Sequence, residues 1–392
     1  MTEPRGARPR TVLHLIDMAG PGGAETILFN LATGLDRERW RPVVAVSEAG
    51  WLSEALRPAG IDALIVPPQG AFDLGYLRAL LGIVRRHRVE LIHAHLLGPS
   101  VYGSLAGRLG GVPVVCTFHG QADVAPDESY RAAKFRIIDR RRNRVVFVSE
   151  SLRRSVLEGN RLEPARTRVI HNGIDARAFR PGTDAGLRRE LGVEPGQLLV
   201  GAVGNLRTAK AYPDLLRAAA LLRDRSDAYR FVVVGDNRGQ MHHDLLALRD
   251  GLGLRDRVHF TGFREDVPAI LRALDLYALS SHAEGFSLST VQALACGVPT
   301  VATRCGGPEE IVEDGVSGVL VPPRDPAALA DAIHALAGDP ERRARMSRAG
   351  RARVEREFST EAMVAGYEAV YRDALGLAGR APAPGAAAPA AV

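Results

Sequence analysis

The sequence predicts an α/β protein made of two similar domains in tandem, facing one another across a cleft. Three observations predict it. Short runs rich in β-branched residues alternate with longer amphipathic stretches, the alternation breaks once near the middle of the chain, and it then resumes in the same order. Strand followed by helix, repeated, calls for a parallel sheet covered on both faces. At 392 residues the chain exceeds one ordinary core and suits two domains, each burying its own apolar surface. Two such Rossmann-like halves imply a cleft, because sheets of this kind place ligands beyond the carboxyl ends of their strands.

In the first half the strand runs are TVLHLID, RPVVAVS, ALIVP, ELIHAH, VPVVCTFHG and RVVFVSE, separated by helical patterns such as AETILFNLATGL and FDLGYLRALLGIVRRH. Gly, Pro and charged residues then crowd 172–197 with no long apolar run, which marks a boundary. LLVGAVGN, RFVVVGD, RVHFTGF, LDLYALS, VPTVATR and SGVLVPP follow as the second strand series. The domains are therefore set at 11–175 and 198–375 with a linker at 176–197, leaving open whether the last helix packs back on the first domain. Residues 1–10 and the Ala/Pro-rich end, 376–392, hold too few core formers to fold and are expected to be disordered.

Composition narrows the function. Hydrophobic residues at 46% and charged residues at 24% fit a globular chain. No apolar run approaches the roughly eighteen residues of a membrane span, and MTEPRGARPR lacks a signal-peptide core, so a cytoplasmic protein is expected. Cys116, Cys296 and Cys305 have no C-x-x-C spacing and are expected to be buried apolar groups. The net charge of +6 suits an anionic substrate or membrane surface, while 5% aromatic residues leave no stacking platform, so nucleic acid is not expected as a partner.

Four loops after strands carry candidate chemistry. Gly20, Gly22 and Gly23 lead from the first strand into a helix, as a tight turn or as a close backbone approach to phosphate. Glu25 stands where a dinucleotide fingerprint needs its third glycine, which argues against a nicotinamide enzyme. His119 ends TFHG, where a side chain that titrates near neutrality serves either catalysis or packing. His93 and His95 share one face of a strand, and without a third ligand they read as a polar network and not a metal site. In VGNLRTAKAYPDLL, Lys210 is one of only two lysines in a chain whose other cations are arginines. A compact point charge three residues from Arg207, after a strand and before a helix, is placed to meet a polyanion. In SSHAEGFSLSTVQALACGVP, Glu284 comes off a strand, Gly285 breaks the chain, and a helix read from FSLSTVQALAC leaves the N–H groups of Ser287 and Leu288 open at its start. Gln292, two turns in, offers an amide to hydroxyls.

The stretch EGFSLSTVQALACGVPTVAT followed by GGPEEIVEDGVSGVLVPPRDPAALADAI resembles the donor-site signature of glycosyltransferase family 4, retaining nucleotide-sugar transferases of the GT-B fold. GPGGAE, FHG, VSESLRR, VIHNGID, GNLRTAK and FTGFREDV match further family motifs in order, so the resemblance spans about residues 11–375. It implies an N-terminal acceptor-binding domain and a C-terminal donor-binding domain. It implies that Lys210 holds the donor diphosphate and that Glu284, first glutamate of an E-x7-E element, holds sugar hydroxyls. Gly285, Phe286, Ser287 and Leu288 would offer backbone N–H groups, and the backbone at Arg264 would meet the nucleobase. His119 would line the reaction centre, with Gly22 and Gly23 closing over it. The chain departs from the family twice: Asn205 replaces the arginine after the glycine, with Arg207 as candidate substitute, and Gln292 replaces the second glutamate, which grips ribose. No D-x-D triplet occurs, so protein cations and helix ends are expected to neutralise the leaving diphosphate without a metal or other cofactor. The implied partners are a UDP- or GDP-sugar and a glycan or lipid-linked acceptor. The run 131–144, with seven basic residues to one acidic, is either a solvated face or, on a helix, a contact for anionic membrane at its inner face. An epimerase of the same architecture and a non-catalytic nucleotide-sugar binder are the alternatives.

Overall fold

A computed structural model describes residues 8–70, 72–120, 124, 128–236 and 238–377. The two ends expected to be disordered lie outside these residues except at 8–10 and 376–377; Arg10 already belongs to the first strand.

β1 (Arg10–Leu15), β2 (Trp40–Val46), β3 (Ala63–Ile65), β4 (Leu91–His95), β5 (Val114–Phe118), β6 (Arg144–Phe147) and β7 (Thr167–Val169) form one sheet, ordered β3-β2-β1-β4-β5-β6-β7. Every pairing is parallel. The central strands are buried on both faces, which is why VVCTF runs apolar almost without alternation, while LIHAH carries His93 and His95 fully buried. β7 is absent from the sequence reading: three residues of an edge strand carry no period to detect. β8 (Leu198–Val203), β9 (Tyr229–Val234), β10 (Val258–Gly262), β11 (Leu276–Leu279), β12 (Thr300–Thr303) and β13 (Gly318–Val321) form the second sheet, ordered β10-β9-β8-β11-β12-β13 and again parallel.

The segment 176–197 is tied to the second sheet's layer. Inside it, a short helix Gly186–Glu190 projects Arg188 onto Asp275 at 2.7 Å and onto the Gln197 carbonyl at 2.8 Å. Arg351 donates to the carbonyls of Ala176 at 2.9 Å and Phe179 at 2.5 Å.

The terminal helix Thr360–Ala374 leaves the second domain and packs on the first sheet. Ser359 bridges to Ile174, and Thr360 N donates to the Ile174 carbonyl at 3.0 Å. A Cβ on Gly173 would stand 2.9 Å from Met363 Cβ, so this crossing needs glycine. Beyond it Tyr367 and Tyr371, both fully buried, cover Val12, Leu91, Val115 and Val146 beside the first helix, Gly23–Gly34. Trp40 meets Tyr371 edge-on at 5.3 Å, and Arg144 pairs with Asp373 at 2.5 Å.

A second tie joins the halves. Glu310, on the short helix Pro308–Ile311, accepts from the N–H groups of Glu150 and Ser151, each at 2.9 Å, at the start of helix Glu150–Gly159. His171 Nε2 lies 2.9 Å from the same carboxylate. Burial alone would raise the Glu310 carboxyl; His171 and the two N–H groups outweigh it and hold it below the usual range.

Candidate functional site

The carboxyl ends of the two sheets meet across a narrow gap. A Cβ on Gly285, in the loop after β11, would strike the His119 carbonyl oxygen and stand 2.6 Å from Gly120 Cα, in the loop after β5. A Cβ on Gly23 would lie 3.8 Å from Leu288 Cδ1, so two helix starts also oppose one another. Helix Leu288–Ala295 begins after Ser287, whose hydroxyl is engaged with Thr290 at 2.9 Å and caps no N–H. Helix Gly23–Gly34 begins after Gly22, which has no capping side chain at all. Open N–H groups at the Leu288 start face the gap, an arrangement suited to an anion, while the Gly23 start opposite is already met by the Glu25 carboxylate. The helix read from residues 286–296 is shorter than expected, and its start at Leu288 leaves Phe286 outside. Phe286 turns its ring inward, stacked on His171 at 5.5 Å and edge-on to Phe358 at 5.7 Å, so only its backbone faces the loop chemistry.

Lys210 and Glu284 form the charged centre. Lys210 ends a one-turn 3₁₀ segment, Thr208–Lys210, and Ala211 turns the chain through a left-handed φ of 49° into helix Tyr212–Arg223. Nζ reaches Glu284 Oε1 at 2.7 Å, and Ser281 Oγ donates to the same oxygen at 2.6 Å. Ser280 Oγ holds the Lys210 carbonyl at 2.9 Å. Burial works against the ammonium, but the Glu284 charge overrides it and holds Lys210 above its usual range. Both side chains keep a little solvent access, 19% and 13%. An incoming anion can therefore compete for the ammonium and release a carboxylate able to accept hydroxyls.

The remaining expected residues fall into three groups. Arg207 is exposed, and its charge is felt by Glu25 across the gap. Gln292 lies in the second turn of helix Leu288–Ala295, partly buried. Arg264 commits its guanidinium to Asp266 at 2.8 Å and Glu190 at 2.9 Å, leaving its backbone at the end of β10 as the group on offer. Asn205 is structural: its side-chain oxygen accepts from Asp236 N at 3.1 Å and ties the loops after β8 and β9. Cys305, expected to be buried, is partly exposed. The basic run 131–144 does not form one helix; only Arg131–Ile138 is helical, Lys134 pairs with Glu128, and Arg144 is spent on Asp373.

On the first domain's side, three groups escaped the sequence reading. Glu25 is 4% exposed and folds back on its own helix start, where a Cβ at Gly22 would collide with its carboxylate. Burial raises its carboxyl, opposed by its own N–H and by Arg207. Asp17, after β1, is likewise raised by burial and has one buried oxygen without a partner. His95 Nδ1 lies 3.0 Å from His119 Nε2, which makes His119 one end of a histidine row. Position alone signalled the first two, since each follows a strand end; nothing in HAH and FHG showed that those histidines touch.

Two family models divide the chain: residues 21–178 match Glycosyltransferase Family 4, and residues 185–353 match Glycosyl transferases group 1. The D-inositol 3-phosphate glycosyltransferase of Segniliparus rotundus is 32% identical over 376 residues, covering 91% of this chain and 82% of that protein. The enzyme of the same name from Mycobacterium sp. (strain JLS) is 34% identical over 292 residues, covering 71% of this chain and 65% of its own, so the match spans less than two thirds of that relative. The crystal structure of Anabaena Alr3699/HepE in complex with UDP-glucose superposes with a TM-score of 0.82 at 25% identity, over 93% of this chain and 99% of that one.

Proposed function

The chain belongs to glycosyltransferase family 4, and on that premise we propose that it moves a sugar, with retention of configuration, from a UDP- or GDP-sugar to a glycan or lipid-linked acceptor. The expected setting is surface polysaccharide or glycolipid synthesis at the inner face of the membrane. Among the described residues no helix is long and apolar enough to cross a bilayer. The observation that carries the reading is the open helix start at Ser287–Leu288 beside the Lys210–Glu284 pair, opposed across the gap by the glycine turn at Gly22–Gly23. In this reading the diphosphate draws Lys210 away from Glu284, Arg207 and the helix start at Leu288 share its charge, and the freed carboxylate takes the sugar hydroxyls. As the glycosidic bond to the diphosphate breaks, the departing phosphate oxygen accepts the proton of the attacking acceptor hydroxyl, so no enzyme nucleophile is required. Gly285 to Leu288 supply backbone N–H groups, Gln292 meets ribose, and the Arg264 backbone meets the base. The Anabaena protein, solved with UDP-glucose, favours UDP as the first donor to test.

The acceptor is the less constrained half. The relatives' names point to D-inositol 3-phosphate for them, whereas the carboxyl groups of Asp17 and Glu25 on this chain's acceptor side favour a neutral polyol. Incubation with UDP-glucose or GDP-mannose, alone, with D-inositol 3-phosphate and with a lipid-linked glycan extract, tests both points through released nucleoside diphosphate and the anomeric configuration of the product. An α-sugar product supports the reading. Binding with no diphosphate released under any condition would leave a nucleotide-sugar binder instead.

A further inference from the structure

The turn that carries Lys210 is not placed by packing. Arg207, Thr208 and Ala209 are all exposed, so the approach to Lys210 is anchored to no core. Ala211, which follows, is 4% exposed and left-handed at φ 49° and ψ 42°, a conformation disfavoured for any residue with a Cβ. Such a residue persists only where its surroundings leave the chain no other course. Here the surroundings are the loop after β11. Ser280 Oγ donates to the Lys210 carbonyl at 2.9 Å and His282 N to the Ala209 carbonyl at 2.8 Å, two bonds onto consecutive peptide groups. Beyond the left-handed residue, His282 Nε2 lies 2.7 Å from Asp214 Oδ2, in the first turn of helix Tyr212–Arg223. An ionised carboxylate only accepts, so Nε2 carries the hydrogen.

His282 thus grips the chain on both sides of Ala211, with its backbone before and its ring after. Arg217 takes the other Asp214 oxygen, Oδ1, at 2.9 Å and keeps the carboxylate turned toward the ring. The His282 and Asp214 side chains are 28% and 14% exposed, so water competes for their bond less than for a surface pair. The Lys210 side chain then follows a set path. A Cβ on Gly204 would stand 3.0 Å from Lys210 Cε and 3.3 Å from Nζ, so the stem lies along the bare face of that glycine to reach Glu284. A lysine stem is flexible, and where its base is held decides where its charge can be. We propose that His282 is a positioning residue for Lys210: its ring, closed on Asp214, locks the turn that sets the ammonium between Glu284 and the donor diphosphate. The role toward the diphosphate rests on the transferase reading above, whereas the placing of Lys210 rests on the fold alone.

The scarcity of lysine supplies the probe, since the chain has only Lys134 and Lys210. In the full chain labelled with ¹³C-lysine, ¹³Cε–¹Hε correlation gives two side-chain signals, and the one lost in Lys210→Ala belongs to Lys210. Lys134, on the first domain, is the internal reference. Without any ligand, the Lys210 signal should move toward that of a solvated lysine in His282→Ala, and equally in Asp214→Ala, which opens the clasp from its other side. It should stay in place in His282→Gln, whose amide nitrogen can reach Asp214. With UDP as the binding probe in calorimetry, His282→Ala should weaken affinity about tenfold in the parent and by less than about twofold when added to Lys210→Ala, because residues acting through one another do not add. His282→Gln should bind UDP within about threefold of the parent. A Lys210 signal unmoved in either alanine variant at the clasp, or equal losses of affinity with and without Lys210, overturns the proposal. The expected lysine signals in a chain that binds no UDP support the proposal and count against the transferase reading alone.

Discussion

Replacing Gly285 by alanine tests whether the closed contact between the two domains is the working one. The added methyl would stand 2.6 Å from Gly120 Cα and meet the His119 carbonyl oxygen more closely still. Relaxed carbon contacts lie at about 3.5–4.0 Å, so the loop after β11 and the loop after β5 must separate by about 1 Å. Neither obstacle is a flexible side-chain end; both are backbone, and Gly285 has no left-handed φ to complicate the result. Each sheet and its helices lie outside the collision, so folding should be retained. A displacement of about 1 Å at a reacting centre costs on the order of a hundredfold in rate, or about 2.7 kcal/mol of barrier. Expected, then, is a folded Gly285→Ala protein whose thermal midpoint stays near the parent's while kcat for UDP release from UDP-glucose drops about a hundredfold. A variant with parental kcat would show that the cleft works in a more open arrangement, and the roles derived from the His119–Gly285 contact would fail with it.

Four further outcomes follow from the same geometry. Lys210→Ala removes a charge-assisted bond to the diphosphate, about 1.5–3 kcal/mol, and should weaken UDP binding roughly ten- to a hundredfold by calorimetry; unchanged affinity would return Lys210 to a purely structural pair with Glu284. Gln292→Glu offers ribose a charged acceptor and should tighten UDP several-fold, by about 1 kcal/mol, whereas a Gln292→Ala protein that binds like the parent would place residue 292 outside the site. Transfer should survive excess chelator, since Lys210, Arg207 and the helix start at Leu288 supply the positive charge, and activity restored by one specific metal would refute that. Because the folded Glu310 carboxyl is held below its ordinary value, its contribution to stability is present above that value and drains as pH falls through the lowered folded one; acid unfolding of Glu310→Gln should lack this component, and curves that coincide would deny the contact any energetic role.

How much of this was legible in the sequence depends on whether a feature repeats. The α/β alternation with its break near 172–197 is periodic, and both sheets were readable strand by strand except β7, whose three residues carry no pattern. Lys210, Glu284 and Gly285 were readable because each follows a strand, where parallel sheets expose their ligand groups, whereas the helix after them, read from Phe286, begins only at Leu288. Their pairing was not. That Lys210 and Glu284, 74 positions apart, share one bond is a fact of the order β8-β11 in the sheet, which no local pattern encodes. The same holds for His95 and His119, which meet because β4 and β5 are neighbours, and for Glu25, which was visible only as a failed glycine.

The return of helix Thr360–Ala374 to the first sheet has a bearing on how the chain is made. A ribosome releases the first domain's strands long before this helix exists, and until residues 360–374 emerge, Val12, Leu91, Val115 and Val146 lack the share of their cover that Tyr367 and Tyr371 supply, and His93 lacks the Tyr371 hydroxyl. The first half is thus an unfinished nascent intermediate that exposes a sticky sheet surface to chaperones throughout synthesis of the second. Its completion waits on residues 360–374, so a chain ending before residue 360 would keep that face of the first sheet incompletely covered even where its strands are all in place.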